Sequence, residues 1–167
     1  VDVSNSGAIE VYGYTWAAGI EAQGADSATV SNAGDITVIA PGFLQVQDYY
    51  GVIGYAPGVQ AFGIYATAGE GGVDLTNSGD ISVDSGYATG IEVQSGGDAS
   101  IDNSGGVEVY SAGAASGLTA LSFAGDASVT NSGDIAVEST AALSYSATGI
   151  VAFAGNGNVS VDNSGSV

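Results

Sequence analysis

One short motif recurs along the chain and constrains its fold more than any other feature. Asn-Ser-Gly, with Ala in place of Ser once, occurs six times at intervals of 27, 45, 26, 28 and 32 residues. The motif begins at Asn5, Asn32, Asn77, Asn103, Asn131 and Asn163. Repeats of this length are typical of solenoids, in which each unit buries its apolar face only against its neighbours. The motif therefore predicts a stack of similar coils.

Each repeat also carries three short segments in which apolar and polar residues alternate. In the third repeat these segments cover residues 73–75, 81–83 and 90–93. Alternation of this kind, rich in Val and Ile, indicates strands, and the Gly, Asn, Ser and Asp residues between the segments indicate turns. No segment has a helical apolar period, so we expect essentially no helix. The sequence predicts an all-β, three-sided parallel β-solenoid of about five to six coils, right-handed by the usual crossover preference.

The repeat predicts a single solenoid domain over residues 1–167. Its coils are expected to start near residues 1, 28, 73, 99, 127 and 159. The 45-residue interval contains an insertion at about residues 39–58, bracketed by two Ala-Pro-Gly turns, which we expect to form a loop or hairpin. The chain contains no Met, which suggests a mature or excised piece of a longer product.

The motif asparagines are expected to point into the solenoid. Residues two apart in a strand share a face, so Asn5 lies on the same side as the apolar Val3. The six asparagines would then form an internal ladder, in which each side-chain amide donates to one neighbour and accepts from the other. The alternative is that they are ordinary turn residues that face solvent.

Composition excludes several classes of function. The chain has no Lys, Arg, His or Cys, and its 18 Asp and Glu residues give a net charge of −18. Without cations it is unsuited to nucleic acid, and without His or Cys it can form neither a Ser-His-Asp triad nor a thiolate site. An anionic membrane would repel it, and it contains no apolar run of 18 residues. We therefore expect no nucleic-acid partner and no membrane insertion.

Two pairs of aspartates fall at matching corners of successive repeats. Asp35 matches Asp80, and Asp98 matches Asp126. Paired carboxylates at Gly-rich corners suit Ca²⁺, which takes oxygen ligands, so these residues are candidate calcium ligands; otherwise they are solvated turn residues. The same pairs would supply the acids of a carboxylate-only polysaccharide hydrolase, an alternative to a protein without catalytic residues. We expect no other cofactor.

Aromatic residues cluster in two places, and both clusters are candidate contacts for a partner. The insertion contributes Phe43, Leu44, Tyr49, Tyr50 and Tyr55, and a loop of the first repeat contributes Tyr12, Tyr14 and Trp16. Exposed aromatic side chains are enriched at interfaces, so the expected partners are a surface glycan or a host-cell contact. The alternative is that both clusters pack against the sides of the solenoid.

The apolar positions of the first and last coils are expected to lack a cover. Val1 and Val3 at one end match Val159 and Val161 at the other. Two explanations stay open. Either the chain is a window on a longer solenoid, or separate copies associate end to end and continue the sheets by β-augmentation.

The full repeat resembles a known family. Asn-Ser-Gly-Asp-Ile-x-Val occurs at residues 77–83 and 131–137, and Ala-Thr-Gly-Ile occurs at residues 88–91 and 147–150. This pattern is similar to the passenger β-helix of bacterial type V autotransporters and related large surface adhesins. The resemblance implies an extracellular, right-handed parallel β-helix at a Gram-negative cell surface. The function expected from the sequence is a non-enzymatic structural or adhesive one, as a subunit or segment of a rigid β-solenoid fibre. The alternative is a β-helix that binds carbohydrate or hydrolyses it with carboxylates alone.

Overall fold

Three parallel β-sheets make up the body of the protein in the computed structural model. The structure describes residues 1–41, 45–47, 53–55, 59–140 and 146–167. Within these residues the chain is all-β, has no helix and winds into a β-solenoid of about five coils, which confirms the predicted fold class. This part of the chain accordingly offers no helix of the length and hydropathy needed to cross a membrane.

The first sheet is built from strands that each end at a motif asparagine. Its order is β1 (Asp2–Asn5), β4 (Ala28–Asn32), β9 (Val73–Asn77), β12 (Ala99–Asn103), β15 (Ala127–Asn131) and β18 (Val159–Asn163). The strands start at the predicted coil starts, or one residue later for β1. Equivalent residues stay in register, so Asn103 lies opposite both Asn77 and Asn131.

The second and third sheets each contain five strands. The second consists of β2 (Ile9–Tyr12), β5 (Ile36–Ala40), β10 (Ile81–Ser85), β13 (Val107–Ser111) and β16 (Ile135–Ser139). The third consists of β3 (Trp16–Gly24), β8 (Gln60–Ala68), β11 (Tyr87–Ser95), β14 (Ala115–Ser122) and β17 (Ala147–Ala154). All neighbouring strands in the three sheets pair in parallel.

The insertion begins later than its predicted boundary at residue 39. Ile39 and Ala40 belong to β5, where they pair with Asp84 and Ser85 of β10. Ala40 is fully buried, because the alternation between faces continues to the end of this strand. Beyond it, β6 (Gln45–Gln47) pairs antiparallel with β7 (Ile53–Tyr55), so of the two predicted forms, a loop or a hairpin, the insertion has the hairpin pairing.

The core is a column of aliphatic side chains enclosed by the three sheets. Ile64, Ile91 and Leu118 occupy consecutive rungs of the third sheet, and none of them has measurable exposed surface. Burial of one such side chain stabilises the fold by roughly 1.5–3 kcal/mol. Because each coil repeats these positions, every coil covers the apolar side chains of its neighbours.

In the third sheet, the alternation of inward and outward side chains is interrupted at a glycine. In β8, Ala61 and Ile64 join the core on either side of Gly63, whereas Phe62 and Tyr65 lie on the outer face. A Cβ atom on Gly63 would lie 2.3 Å from Cγ2 of Ile81 and 2.5 Å from the carbonyl oxygen of Gly90. These short distances leave no room for a side chain at Gly63. Because the alternation is interrupted there, the outer side chains of Phe62 and Tyr65, three residues apart, come into contact.

Candidate functional site

The six motif asparagines form a continuous hydrogen-bonded ladder inside the solenoid. Nδ2 of Asn5 donates to Oδ1 of Asn32 over 2.8 Å, and the four later steps are each 2.7 Å long. Each Nδ2 also donates to the carbonyl oxygen of the motif glycine two residues later, over 2.7–2.8 Å. The middle rungs, such as Asn77 and Asn103, are fully buried. The ladder therefore satisfies polar groups that water does not reach.

The ladder has a direction. Each of the first five side-chain amides donates to the next coil towards the C-terminus, so the Asn5 end presents an acceptor and the Asn163 end presents a donor. Oδ1 of Asn5 accepts a long hydrogen bond of 3.3 Å from the N–H of Gly7. The two ends of the ladder are consequently complementary to each other.

The predicted aspartate pairs lie one rung apart, and their carboxylates accept hydrogen bonds from backbone amides. The N–H of Asp80 donates to Oδ1 of Asp35 over 3.1 Å, and the N–H of Gly106 donates to Oδ1 of Asp80 over 2.8 Å. At the other corner, the N–H of Asp126 donates to Oδ1 of Asp98 over 2.8 Å. Each carboxylate thus supplies an acceptor for a corner amide of the next coil.

Calcium binding at these aspartate pairs stays a prediction. No group of three or more Asp or Glu side chains among the described residues is arranged to hold a metal ion. The hydrogen bonds to the Oδ1 atoms give a reason for aspartate at these corners that needs no metal.

Asp134 lies at the same corner as the first aspartate pair and has a lowered pKa. Its Oδ1 accepts hydrogen bonds from the hydroxyl of Ser166 over 2.6 Å and from the N–H of the same residue over 3.1 Å. These two hydrogen bonds, the hydroxyl first, hold the pKa of the Asp134 carboxyl below its usual value. The charged carboxylate is therefore the form that joins the last two coils.

We expect Ser166→Ala to raise the pKa of Asp134 only partway towards its usual value, because the backbone N–H still donates. In the folded protein this carboxyl binds a proton less readily than in the unfolded chain. Its contribution to stability is therefore present above about pH 3.9 and is lost as the pH falls through the lower folded pKa. A carboxyl-carbon NMR titration of both proteins measures the two midpoints, and identical midpoints would contradict this assignment.

Buried serines at the strand ends form a second polar set, which the sequence analysis missed. Ser95 and Ser122 end β11 and β14, and their hydroxyls donate to the carbonyl oxygens of Gly71 and Gly97 over 2.6 and 2.7 Å. Both acceptors lie in the preceding coil. A serine at the end of a strand is typical of a turn. The only sequence signal of its burial is that it lies two residues after an inward-facing residue of the same strand. With these bonds, no buried side-chain nitrogen or oxygen in the described ranges lacks a partner.

The aromatic residues of the first coil lie largely in strands, so the prediction of a loop was wrong for Tyr12 and Trp16. Tyr12 ends β2, Trp16 begins β3 and Tyr14 lies between the two strands. All three side chains are exposed. Outward strand positions are not constrained by the core, so aromatic residues there do not end the strand. Of the other candidates, Phe43, Leu44, Tyr49 and Tyr50 lie outside the described residues, and Tyr55 is described only as backbone of β7.

A groove of about 620 Å³ runs across the outer face of the third sheet. Its aromatic part consists of Trp16, Phe62 and Tyr65, with ring centroids 6.1 Å apart for the first two and 4.9 Å apart for the last two. Its acidic part consists of Glu21 and Glu92. We call this feature the aromatic-acidic groove.

Both ends of the stack present strand edges and uncovered apolar side chains. In the first sheet, β1 and β18 each have one neighbouring strand. Val159 and Val161 are 52% and 49% exposed, whereas Val129, the neighbour of Val161 in the preceding coil, is 1% exposed. At the opposite end Val1 is exposed and Val3 is half-buried. These side chains occupy positions that the middle coils bury.

Comparison with known proteins finds no matching family model, no matching curated protein and no matching solved structure. A functional proposal therefore rests on the fold and on the geometry of its surfaces.

Proposed function

We propose that this chain is a segment of a rigid, non-enzymatic β-solenoid rod with a structural or adhesive role at an extracellular bacterial surface. The observation that carries the proposal is the asparagine ladder, which links all coils from Asn5 to Asn163 in register. A column of parallel strands joined by such a ladder resists bending and shear. The resemblance to autotransporter passengers supports the location and the adhesive role.

The acidic corners support a structural role over a catalytic one. A carboxylate-only hydrolase would need the paired aspartates free to act as acid and base. Oδ1 of Asp35, Asp80 and Asp98 instead accepts the backbone N–H of the next coil. One oxygen of each of these carboxylates is therefore already engaged in the link between coils.

The open ends support axial continuation of the rod, either by further coils or by a second copy. Both ends offer unpaired strand edges, apolar side chains and one end each of the directional ladder. A head-to-tail contact of this kind adds strands in the same register and generates an open filament. The charge of −18 on each copy opposes the contact, so salt is expected to strengthen it.

Sedimentation velocity of the 167-residue chain tests the axial contact. We expect assemblies whose mass rises with protein concentration and with salt, because apolar edges associate once repulsion is screened. Val161→Asp puts a charge at an inward position of the last coil and should leave single chains. The matched variant Ser160→Asp adds the same charge at the adjacent outward position and should still associate. A parent chain that stays monomeric at every concentration, or equal effects of both variants, would overturn the association of separate copies and leave further coils of the same chain as the form of continuation.

A further inference from the structure

The aromatic-acidic groove combines aromatic and carboxylate side chains on one face of the third sheet. Its side chains lie outside the central core cluster, although Phe62 is itself only 4% exposed. Trp16 is 44% exposed and is the only tryptophan of the chain. It begins β3 beside the ring of Phe62, whose other neighbour is the ring of Tyr65. An exposed indole at the edge of an aromatic cluster offers a flat face to a ligand.

Two carboxylates flank the phenol of Tyr65 on the rungs before and after it. Glu21 pairs with Tyr65 in the third sheet, and Tyr65 pairs in turn with Glu92. Two rungs separate the carboxylates by about 9.6 Å along the solenoid axis. Burial first, and then the charges of Glu92 and Glu21, raise the pKa of Tyr65 above its usual value. The phenol is therefore neutral and lies in a negative field.

Both carboxylates are held in place by glutamines of their own strands. Nε2 of Gln23 donates to Oε1 of Glu21 over 2.6 Å, and Nε2 of Gln94 donates to Oε1 of Glu92. Each glutamine lies two residues after its glutamate, on the same face of the strand. A carboxylate that is already oriented loses less side-chain entropy when it binds a ligand.

The chain cannot neutralise these carboxylates with a side chain of its own. It has no Lys, Arg or His. A cationic ligand therefore complements the groove, and a neutral sugar leaves its charge unused. Guanidinium matches both chemistries, because it stacks on aromatic faces and binds carboxylates in a bidentate manner, whereas ammonium is a point charge.

We infer that the aromatic-acidic groove binds arginine side chains of a basic polypeptide. One guanidinium pairs with Glu21 and a second with Glu92, and the exposed indole of Trp16 offers a stacking face at the edge of the same groove. This binding would define the chemical class of partner for the adhesive contact, and in that respect the inference rests on the proposed function. Because the test uses a small peptide and single chains of Val161→Asp as well as the parent protein, failure of binding and failure of axial association are separate results.

Fluorescence of Trp16 reports binding in this groove directly. The probe is an acetylated, amidated peptide with two arginines separated by two glycines, because three extended residues span about 10 Å. The titration is performed in about 150 mM salt, which screens non-specific attraction to an acidic protein. We expect a saturable change in emission, and at least fivefold weaker binding of the equivalent lysine peptide, because ammonium lacks the planar contact (about 1 kcal/mol).

Two double variants separate the groove from the overall charge. Glu21→Gln with Glu92→Gln removes both groove carboxylates and should weaken binding by about tenfold or more. Glu10→Gln with Glu108→Gln removes the same charge from exposed positions of the second sheet and should change binding less than twofold. Should the first variant lose its β-sheet circular dichroism, Glu21→Gln alone serves in its place.

Four results would overturn the inference. The first is an absence of saturable emission change up to millimolar peptide. The second is equal loss in both double variants, which indicates general charge attraction. The third is equal affinity for the lysine and arginine peptides. The fourth is a neutral oligosaccharide that changes the emission equally in the parent protein and in the groove variant, which identifies a sugar site.

Discussion

Replacement of Asn103 by alanine is expected to lower the free energy of unfolding by about 3 kcal/mol or more. The Asn103 side chain accepts from Asn77 over 2.7 Å and donates to Asn131 over 2.7 Å and to the carbonyl oxygen of Gly105 over 2.8 Å. The variant leaves three groups without these partners: the side-chain nitrogen of Asn77, the side-chain oxygen of Asn131 and the carbonyl oxygen of Gly105. Each such group costs about 1–3 kcal/mol when water cannot replace the lost bond. Urea unfolding followed by circular dichroism measures the loss.

Asn163→Ala is the matched control, because it makes the same substitution at the exposed end of the ladder. Asn163 accepts from Asn131 and donates to the carbonyl oxygen of Gly165. Water reaches this rung, so we expect a loss of about 1 kcal/mol or less. Comparable losses at Asn103 and Asn163 would show that the ladder contributes little beyond the ordinary turn preference of asparagine.

Gly105→Ala is expected to destabilise the fold by about 3 kcal/mol or more, at or above the usual range for overpacked sites. A Cβ atom on Gly105 would lie 2.0 Å from the carbonyl oxygen of Gly79. That oxygen accepts a hydrogen bond from Nδ2 of Asn77, so it cannot move away without breaking the ladder. The glycine of the motif is therefore required by the close approach of successive coils.

Gly106→Ala provides a control at the next residue. The nearest atom to its Cβ would be a carboxylate oxygen of Asp80 at 3.2 Å, at the end of an exposed side chain. The same corner in other coils holds Asp80 itself and Asp134, so it accepts a side chain. We expect a change within about 0.5 kcal/mol, as for other surface substitutions. Equal losses for the two glycine variants, measured by urea unfolding, would contradict the steric explanation.

Repetition made most of this fold predictable from the sequence. Asn-Ser-Gly fixes where each first strand ends, and the alternation on either side fixes which residues face the core. The rungs that place Glu21, Tyr65 and Glu92 side by side follow directly from that register. A parallel stack has no freedom to slip by one residue, because every apolar side chain would then face solvent.

Local departures from the period of two could not be predicted in the same way. The contact between Phe62 and Tyr65 depends on the interruption at Gly63, and a strict alternation places these two residues on opposite faces. The inward position of Ser95 does follow the period of two, but the local sequence does not reveal its acceptor, a carbonyl oxygen of the preceding coil. The strand positions of Tyr12 and Trp16 were missed for a related reason, since outward residues carry no periodic signal.

In one outward column of the second sheet, neutral residues separate the like charges. Glu10 and Glu108 share one outward column of the second sheet, with Thr37 and Ser82 between them. Two like charges on adjacent rungs would repel by about 1 kcal/mol in water. Neutral rungs reduce this repulsion within the chain, and the same spacing reduces it when further coils follow.

Electron microscopy of the protein at increasing concentration, in about 150 mM salt, tests the central claim of an axially extending rod most directly. We expect straight, unbranched rods with an axial repeat of about 4.8 Å, whose lengths rise in steps of roughly 25–30 Å for each added chain. Denaturation of the same material should return chains of 16.1 kDa. Compact particles of constant size at every concentration, or rods without the 4.8 Å repeat, would contradict it.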